Sequence, residues 1–578
     1  MLNFIIGRNN SGKTEKIRAL IAERASENKK CILIVPEQFS FESERSILEK
    51  IGAQKMLNVD ILSFTRLAFV INEQYGKALN KTIDDGTRKV LMSLSLEALS
   101  GKLEYFKRFS SKPALLSNLL TFVTELKQCA VTPDEIAEIS GKTGNKSLGK
   151  KLSELSLIAA SYDALVSRSF FDDENLLTIA ADMISETDFF DGKAVYFDAF
   201  CGFTKQERNC IKSILPKAEN VFISLCTDRD LSREGVSVFE NVNSEFSHLK
   251  ECAAEQNVGV SSPEILNVKE DGRSPELVYL EKYLCGEESE PYKEECDNIV
   301  VCAAGNRADE ADFVACEIKK LLRCNPTLRC RNIAVIERTA GTYDKELSES
   351  FKKYGVPMFE DKRRPIGIQP VMVFVKCLLA LCAEGFSTES FMRLLKTGLT
   401  ALSGDEISEL ENYAFLWNID GSKWRRDFTE NPDGLGFDVT EKSQEKLIRL
   451  NDIRKRSVLP VLAFKKDFEE ADGEKKSRLI YEFLIKNGVT ERLREKIEYL
   501  VSSGDTVLCE EQDTVWATLM DMLGKMASAI GETVITAKRY SELFNILLSA
   551  VTLGSLPQEL DSVTVGAADR IRVSDCKV

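Results

Sequence analysis

The first 80 positions alternate short apolar runs with longer amphipathic stretches. Residues 3–6, 31–35 and 59–64 form the apolar runs, and helix-like spacing begins at Lys13 and again near Ser40. Runs bounded this way predict strands of a parallel sheet with helices between them. From about Gly86 to Ser185 the β-branched runs disappear, and leucine-rich segments such as 89–99 and 152–165 take helical spacing, which predicts a helical insertion. The strand pattern returns at 193–198 and 220–226. Between these lies Thr204-Lys205-Gln206-Glu207, a capping-box pattern in which Thr204 and Glu207 satisfy the first amides of a helix.

Residues 258–297 are rich in serine, glycine, proline and acid, and read as a linker or a loosely packed excursion. A second cycle follows: a strand at 298–303, a helix at 309–323, a strand at 332–336 and a helix ending at Tyr354. In the first of these helices Val314, Ile318, Leu321 and Leu322 share one face, so one side packs on a sheet. Residues 370–556 are helical by spacing, with Trp417 and Trp424 near their middle, before an apolar strand at 562–566. Asp575-Cys576-Lys577-Val578 reads as the start of another strand, so the chain is expected to stop inside a domain.

The fold class expected is therefore α/β, with two units that are each interrupted by helices. The first unit comprises 1–85 plus 186–257, interrupted by 86–185; the second comprises 298–369 plus 557–578, interrupted by 370–556.

Composition narrows the classes. A length of 578 residues exceeds the roughly 100 to 200 of one domain, and 43% hydrophobic with 29% charged residues excludes disorder as the dominant state. The longest apolar stretch, 371–383, contains Lys376 and is shorter than the roughly 20 residues that cross a bilayer, so it predicts a buried helix. The amino terminus has no secretory signal pattern, and a cytoplasmic protein without membrane partners is expected. The 16 cysteines are scattered, as at Cys31, Cys226, Cys377 and Cys382, with no C-x-x-C pair, which predicts reduced core thiols. Cys324 and Cys330 lack a third and fourth ligand for zinc. His248 is the only histidine, which excludes a multi-histidine metal site and any Ser-His-Asp triad built elsewhere; it reads as a solvated surface residue. A net charge of -14 weighs weakly against nucleic acid, because a local basic track can sit within an acidic total.

The chemistry concentrates in Gly7-Arg8-Asn9-Asn10-Ser11-Gly12-Lys13-Thr14, a full match to G-x-x-x-x-G-K-[ST] placed between a strand and a helix. Glycines let backbone amides turn onto phosphate oxygens, the lysine reaches the β and γ phosphates, and the hydroxyl binds magnesium. Gly7, Gly12, Lys13 and Thr14 take those roles. A carboxylate at the end of a neighbouring strand completes such a site, often followed by a glutamate that activates water. Asp198, after Ala194-Val195-Tyr196-Phe197, is the candidate magnesium ligand, with a strand-end aspartate satisfying loop amides as the alternative. Ala199 stands where the glutamate is expected, so ATP binding without rapid turnover is predicted.

The loop, the segment Val35-Pro36-Glu37-Gln38-Phe39-Ser40-Phe41-Glu42-Ser43-Glu44, and Leu62-Ser63-Phe64-Thr65-Arg66-Leu67 together resemble the start of the AddB family, the second subunits of bacterial AddAB helicase-nucleases. Residues 197–207 are similar to that family's degenerate second nucleotide motif, 333–336 and 356–365 to its second motor-like domain, and 563–572 to a late helicase-like motif. The resemblance implies two RecA-like P-loop helicase-type domains with large helical insertions, ATP and Mg2+ as cofactors, double- and single-stranded DNA ends as partners, and an AddA-like partner as the principal motor. It implies work on double-strand breaks for recombinational repair. It places the nuclease and a cysteine-bound iron-sulfur cluster in the carboxyl half, so neither is expected within these residues. Adenine specificity follows from the resemblance, since only six residues precede Gly7. Arg570 and Arg572 are candidates for contact with nucleotide phosphates or the DNA backbone, against a solvated loop. Two other classes compete: a nucleotide-stiffened, non-catalytic scaffold, and a small-molecule kinase, which would not need the second α/β cycle.

Overall fold

In a computed structural model of the chain, residues 1–578 are described except 77–82, 108–111, 170–172, 228–237, 268–273, 284–289, 340, 360–363, 505, 554–560 and 569–575. Six strands, β1 (Leu2–Gly7), β2 (Cys31–Ile34), β3 (Val59–Leu62), β4 (Ala194–Phe197), β5 (Asn220–Cys226) and β6 (Glu264–Ile265), form one sheet in the order β3-β2-β4-β5-β1-β6. Every pairing in it is parallel.

Parallel strands covered on both faces require nearly continuous apolar runs, and side chains alternate between the faces. Leu2, Phe4, Ile6, Val195, Phe197, Val221, Ile223 and Leu225 belong to one core, together with helices Phe64–Tyr75, Asp173–Glu186, Lys205–Ile214 and Glu240–Glu255. Ile5, Cys31, Leu33, Ala194 and Tyr196 face the other core, where Ile17, Ile21 and Ala25 of α1 (Lys13–Ser26) cover them.

Within 258–297, expected as a linker or a loosely packed excursion, the described residues supply β6 on the free edge of β1 and helix Pro275–Tyr283. Leu266 N donates to Ile6 O at 2.7 Å, so backbone pairing, which composition does not report, holds this segment.

The remaining strands are β7 (Ala334–Glu337), β8 (Met358–Phe359), β9 (Arg364–Pro365), β10 (Thr552–Leu553) and β11 (Val563–Ala567). They form a parallel three-stranded sheet, β7-β11-β8, and an antiparallel pair, β9-β10. Helices Arg307–Cys324 and Asp344–Tyr354 pack on the former through Ala311, Ala315, Ile318, Leu347 and Phe351. The strand expected at 298–303 is not formed: Val300 is 71% and Val301 92% exposed. Apolar residues make a strand only where an edge accepts their backbone, and β7 pairs with β11 on one side. Of the strand expected at the chain's end, Asp575 lies outside the described residues. Lys577 N donates to Asn332 O at 2.7 Å and Ala334 N to Val578 O at 3.0 Å without forming a strand.

The helices of 86–185 and 370–556 share one core. Val90, Leu91 and Met92 belong to the same cluster as Tyr540, Leu543, Phe544 and Leu547, as does the buried helix Pro370–Ala383. A methyl on Gly86 would lie 2.5 Å from Leu547 Cδ1, so glycine permits a close approach between the two stretches here. Helix Asp173–Glu186 departs from its neighbours, because Leu176, Ala180 and Ile184 pack in the core of the first sheet. No helix among the described residues is long and apolar enough to cross a membrane.

Candidate nucleotide site

The loop between β1 and α1 is shaped by two residues in the left-handed region, Asn10 at φ 55° and Gly12 at φ 87°. Gly12 occupies the N-cap position of α1 with no side-chain bond to the first-turn amides, and Lys16 N donates to Gly12 O at 2.9 Å. Such a helix start presents uncapped amides and the positive end of the helix dipole. Gly7 is needed for space: a methyl there would lie 2.4 Å from Ser11 Oγ and 2.8 Å from Leu266 O. Ser11 is 3% exposed, and its buried hydroxyl has no hydrogen-bond partner among the described residues. A buried hydroxyl without a partner is costly, and its retention in this loop calls for an explanation.

Lys13 Nζ donates to Gly7 O at 2.8 Å and to Arg8 O at 2.7 Å, bending over the loop's own carbonyls. Arg8 points elsewhere: its guanidinium lies 5.5 Å from the Phe239 ring and donates to Glu281 O at 3.5 Å. Lys16 pairs with Glu264 of β6 at 2.7 Å. Asn9 and Asn10 are exposed, and Thr14 is half-buried in the first turn of α1.

Asp198 continues β4 by one residue, its amide donating to Ile34 O at 3.1 Å. Its side chain is 4% exposed and accepts a hydrogen bond from Ser224 Oγ at 2.5 Å. No Lys or Arg pairs with it among the described residues. Ala199 follows at φ 66°, a sparsely populated conformation for a residue with a Cβ. One strand, β5, separates the loop strand β1 from β4.

The segments 35–44, 62–67 and 197–207 run on from β2, β3 and β4 at the same edge of the first sheet, where parallel strands leave their carboxyl ends for ligands. Glu37–Phe39 forms a short helical turn after β2, and exposed Phe41 follows it. Ser63 Oγ caps helix Phe64–Tyr75 by accepting from Arg66 N at 3.1 Å. Phe64 anchors that edge, its ring centroid 5.9, 5.5 and 6.1 Å from those of Phe197, Phe200 and Phe203. The capping box forms as expected, with Glu207 accepting from Thr204 N at 2.7 Å and Thr204 Oγ1 from Glu207 N at 3.2 Å. Burial pushes the Glu207 carboxyl above its ordinary range against the bonds from Thr204. His248 is exposed, 3.5 Å from Arg208. Arg570 and Arg572 lie outside the described residues.

The sequence reading missed Ser224 and the buried pair in which Thr227 Oγ1 donates to Asn243 Oδ1 at 2.5 Å. The available signal was one hydroxyl within the apolar run 221–225, because a buried polar side chain requires a partner.

Comparison with known proteins agrees with the residues on this edge. Residues 4–281 match the family model described as ADDB, N-terminal. In Acetivibrio thermocellus, the B subunit of the ATP-dependent helicase/deoxyribonuclease is 29% identical over all of this chain and 51% of its own length. The proteins of the same name from Clostridium acetobutylicum and Clostridioides difficile are 29% and 28% identical with the same coverage. The chain thus spans about half the length of the curated relatives it matches. It is similar to AddB proteins, and what it matches there is their amino-terminal part.

Proposed function

We propose that this chain binds ATP and DNA as the helicase-like portion of an AddB protein, with weak or no motor activity of its own, and that its two α/β units are RecA-like P-loop domains. The observation that carries the reading is the posture of the loop. Among the described residues Lys13 donates to neutral carbonyls, Ser11 Oγ is buried without a partner, and the first turn of α1 has no side-chain cap. An anionic ligand answers all three, since hydrogen bonds between charged partners are the stronger ones.

The residues fit a magnesium nucleotide. Gly7 to Gly12 would cradle the phosphates, Lys13 would exchange its carbonyls for β and γ oxygens, and Thr14 and Asp198 would hold the metal. Bound magnesium would neutralise phosphate charge. Asp198 fits because its buried carboxylate keeps acceptor capacity and has no cationic side-chain partner among the described residues. Ala199 offers no group that could activate water, which favours binding over turnover. The same observation keeps a scaffold stiffened by nucleotide as a second reading.

By family, the substrates are double- and single-stranded DNA ends, handled beside an AddA-like partner in break repair. Arg570 and Arg572 are assigned to phosphate or backbone contact in that reading, and loss of nucleotide affinity in Arg570→Ala would support it.

The test is ATP binding and hydrolysis with and without DNA ends, comparing Lys13→Ala. Nucleotide and DNA binding with negligible turnover is the expected result. DNA-stimulated hydrolysis abolished by Lys13→Ala would indicate an active motor instead. A chain that binds ATP yet ignores DNA at low salt, where phosphate contacts are strongest, removes the DNA half of the reading.

A further inference from the structure

Ser224 sits in the middle of β5, between the loop strand and the strand that ends in Asp198. In register it lies beside Ile5 of β1, and the pairing of Phe197 with Ile223 brings Asp198 level with it on β4. Alternation then decides which way the two side chains point. Ala194 and Tyr196 face the core covered by α1, so Asp198, two residues further on, shares their side of the sheet. Ser224 lies two residues beyond Phe222, whose ring stacks on Tyr196 at 5.1 Å, so it shares that side too. Helix α1, which opens with Lys13 and Thr14, covers this face.

Ser224 is 3% exposed and its hydroxyl donates to Asp198 Oδ1. The side-chain hydrogen bond that Asp198 receives among the described residues comes from a neutral hydroxyl, which brings no compensating charge to the carboxylate. A cation at the remaining lone pairs would supply that charge. The single hydroxyl fixes the rotation of the carboxylate while leaving Oδ2 without a protein partner among the described residues.

We propose that Ser224 is the positioning residue for Asp198: it orients the carboxylate so that the magnesium of a bound nucleotide meets a pre-aligned ligand. The proposal rests on the nucleotide reading above, deepening it by one residue. Pre-alignment by an outer hydrogen bond strengthens metal ligation commonly by 10-fold or more, about what such partners contribute elsewhere.

The experiment titrates a methylanthraniloyl-labelled ATP into the full chain, once in magnesium and once in EDTA, and reads the ratio of the two affinities. Ser224→Val and Ser224→Thr form the deciding pair, since both are β-branched and close in volume, and only threonine keeps the hydroxyl. Ser224→Val is expected to lower the magnesium-to-EDTA ratio about 10-fold, and Ser224→Thr to retain the wild-type ratio. Near-ultraviolet circular dichroism identifies folded variants; if valine does not fold, Ser224→Ala takes its place. A hydroxyl-free variant with the wild-type ratio overturns the proposal. So does a wild-type ratio of one, which would mean that Asp198 holds no magnesium. The underlying reading fails separately, if labelled ATP does not bind the wild type under either condition or binds Lys13→Ala equally well.

Discussion

Gly7→Ala tests whether the loop is a built cradle or an ordinary turn. The added methyl would meet Ser11 Oγ at 2.4 Å, Ser11 Cβ at 2.8 Å and Leu266 O at 2.8 Å, all closer than real methyl contacts. None of the three yields easily. Ser11 is 3% exposed, and Leu266 is tied to β1 by its 2.7 Å bond to Ile6 O. Overpacking of a tight site costs about 1–3 kcal/mol. If the loop distorts to relieve it, that cost appears in ligand affinity, where about 1.4 kcal/mol is tenfold. Affinity for labelled ATP should therefore fall by roughly 5-fold to 150-fold. Adding Ser11→Gly removes two of the three collisions and should restore part of the loss, as coupled neighbours do in a double-mutant cycle. Wild-type affinity in Gly7→Ala would refute the cradle. Additive losses in the double variant would refute the stated cause.

Three further outcomes follow from packing and charge. Phe64→Ala removes the ring shared by Phe197, Phe200 and Phe203 and should destabilise the first sheet by about 3–5 kcal/mol; hydrogen exchange of β2 and β4 reads it, and unaltered protection would contradict the assigned core. Burial raises the Asp84 pKa, but the bonds from Lys525 at 2.7 Å and Thr87 N at 2.8 Å outweigh it and hold the carboxyl below its ordinary 3.8. A depressed carboxylate stabilises above its unfolded pKa and loses that contribution as pH falls through the folded one. Asp84→Asn should thus cost about 0.5–1 kcal/mol at neutral pH, modest because the side chain is 39% exposed, and nothing once pH is below the depressed value; denaturant melts that show a pH-independent difference would refute the pairing. Burial pushes the Cys31 thiol up to about 11 and raises Cys210 further, whereas Cys129 and Cys201 are exposed. Maleimide labelling of the native protein, located by mass spectrometry, should modify Cys129 and Cys201 and spare the other two; equal labelling would place Cys31 outside the core.

What was legible in the sequence is what local chemistry determines. The loop from Gly7 to Thr14, the capping box at Thr204 and Glu207, and the strand at 220–226 each depend on residues within a few positions, and each is found where the pattern put it. Residues 298–303 show the limit: they carry as good an apolar run as β7, yet a strand needs a partner edge, and no local pattern reveals one. Helix spacing has the same blindness. It reports that one side of helix Asp85–Ala98 and of helix Asp173–Glu186 is apolar, but not that the first is covered by residues near 540 and the second by the sheet.

The candidate site divides along that line. Its phosphate loop is one continuous segment, so eight residues suffice to recognise it. Its metal side is assembled by strand order: β5 must lie between β1 and β4 before Ser224, 26 positions away, can reach Asp198. The hydroxyl in 221–225 therefore carries no meaning until the sheet is known. Once it is, a serine that would otherwise only weaken a buried strand is seen to donate to the buried carboxylate of Asp198. If the proposed nucleotide reading holds, the loop and the Ser224–Asp198 pair make separable demands, the first on the phosphates and the second on the metal. For that reason the Gly7→Ala loss should persist in EDTA, whereas the Ser224→Val loss should appear only when magnesium is present.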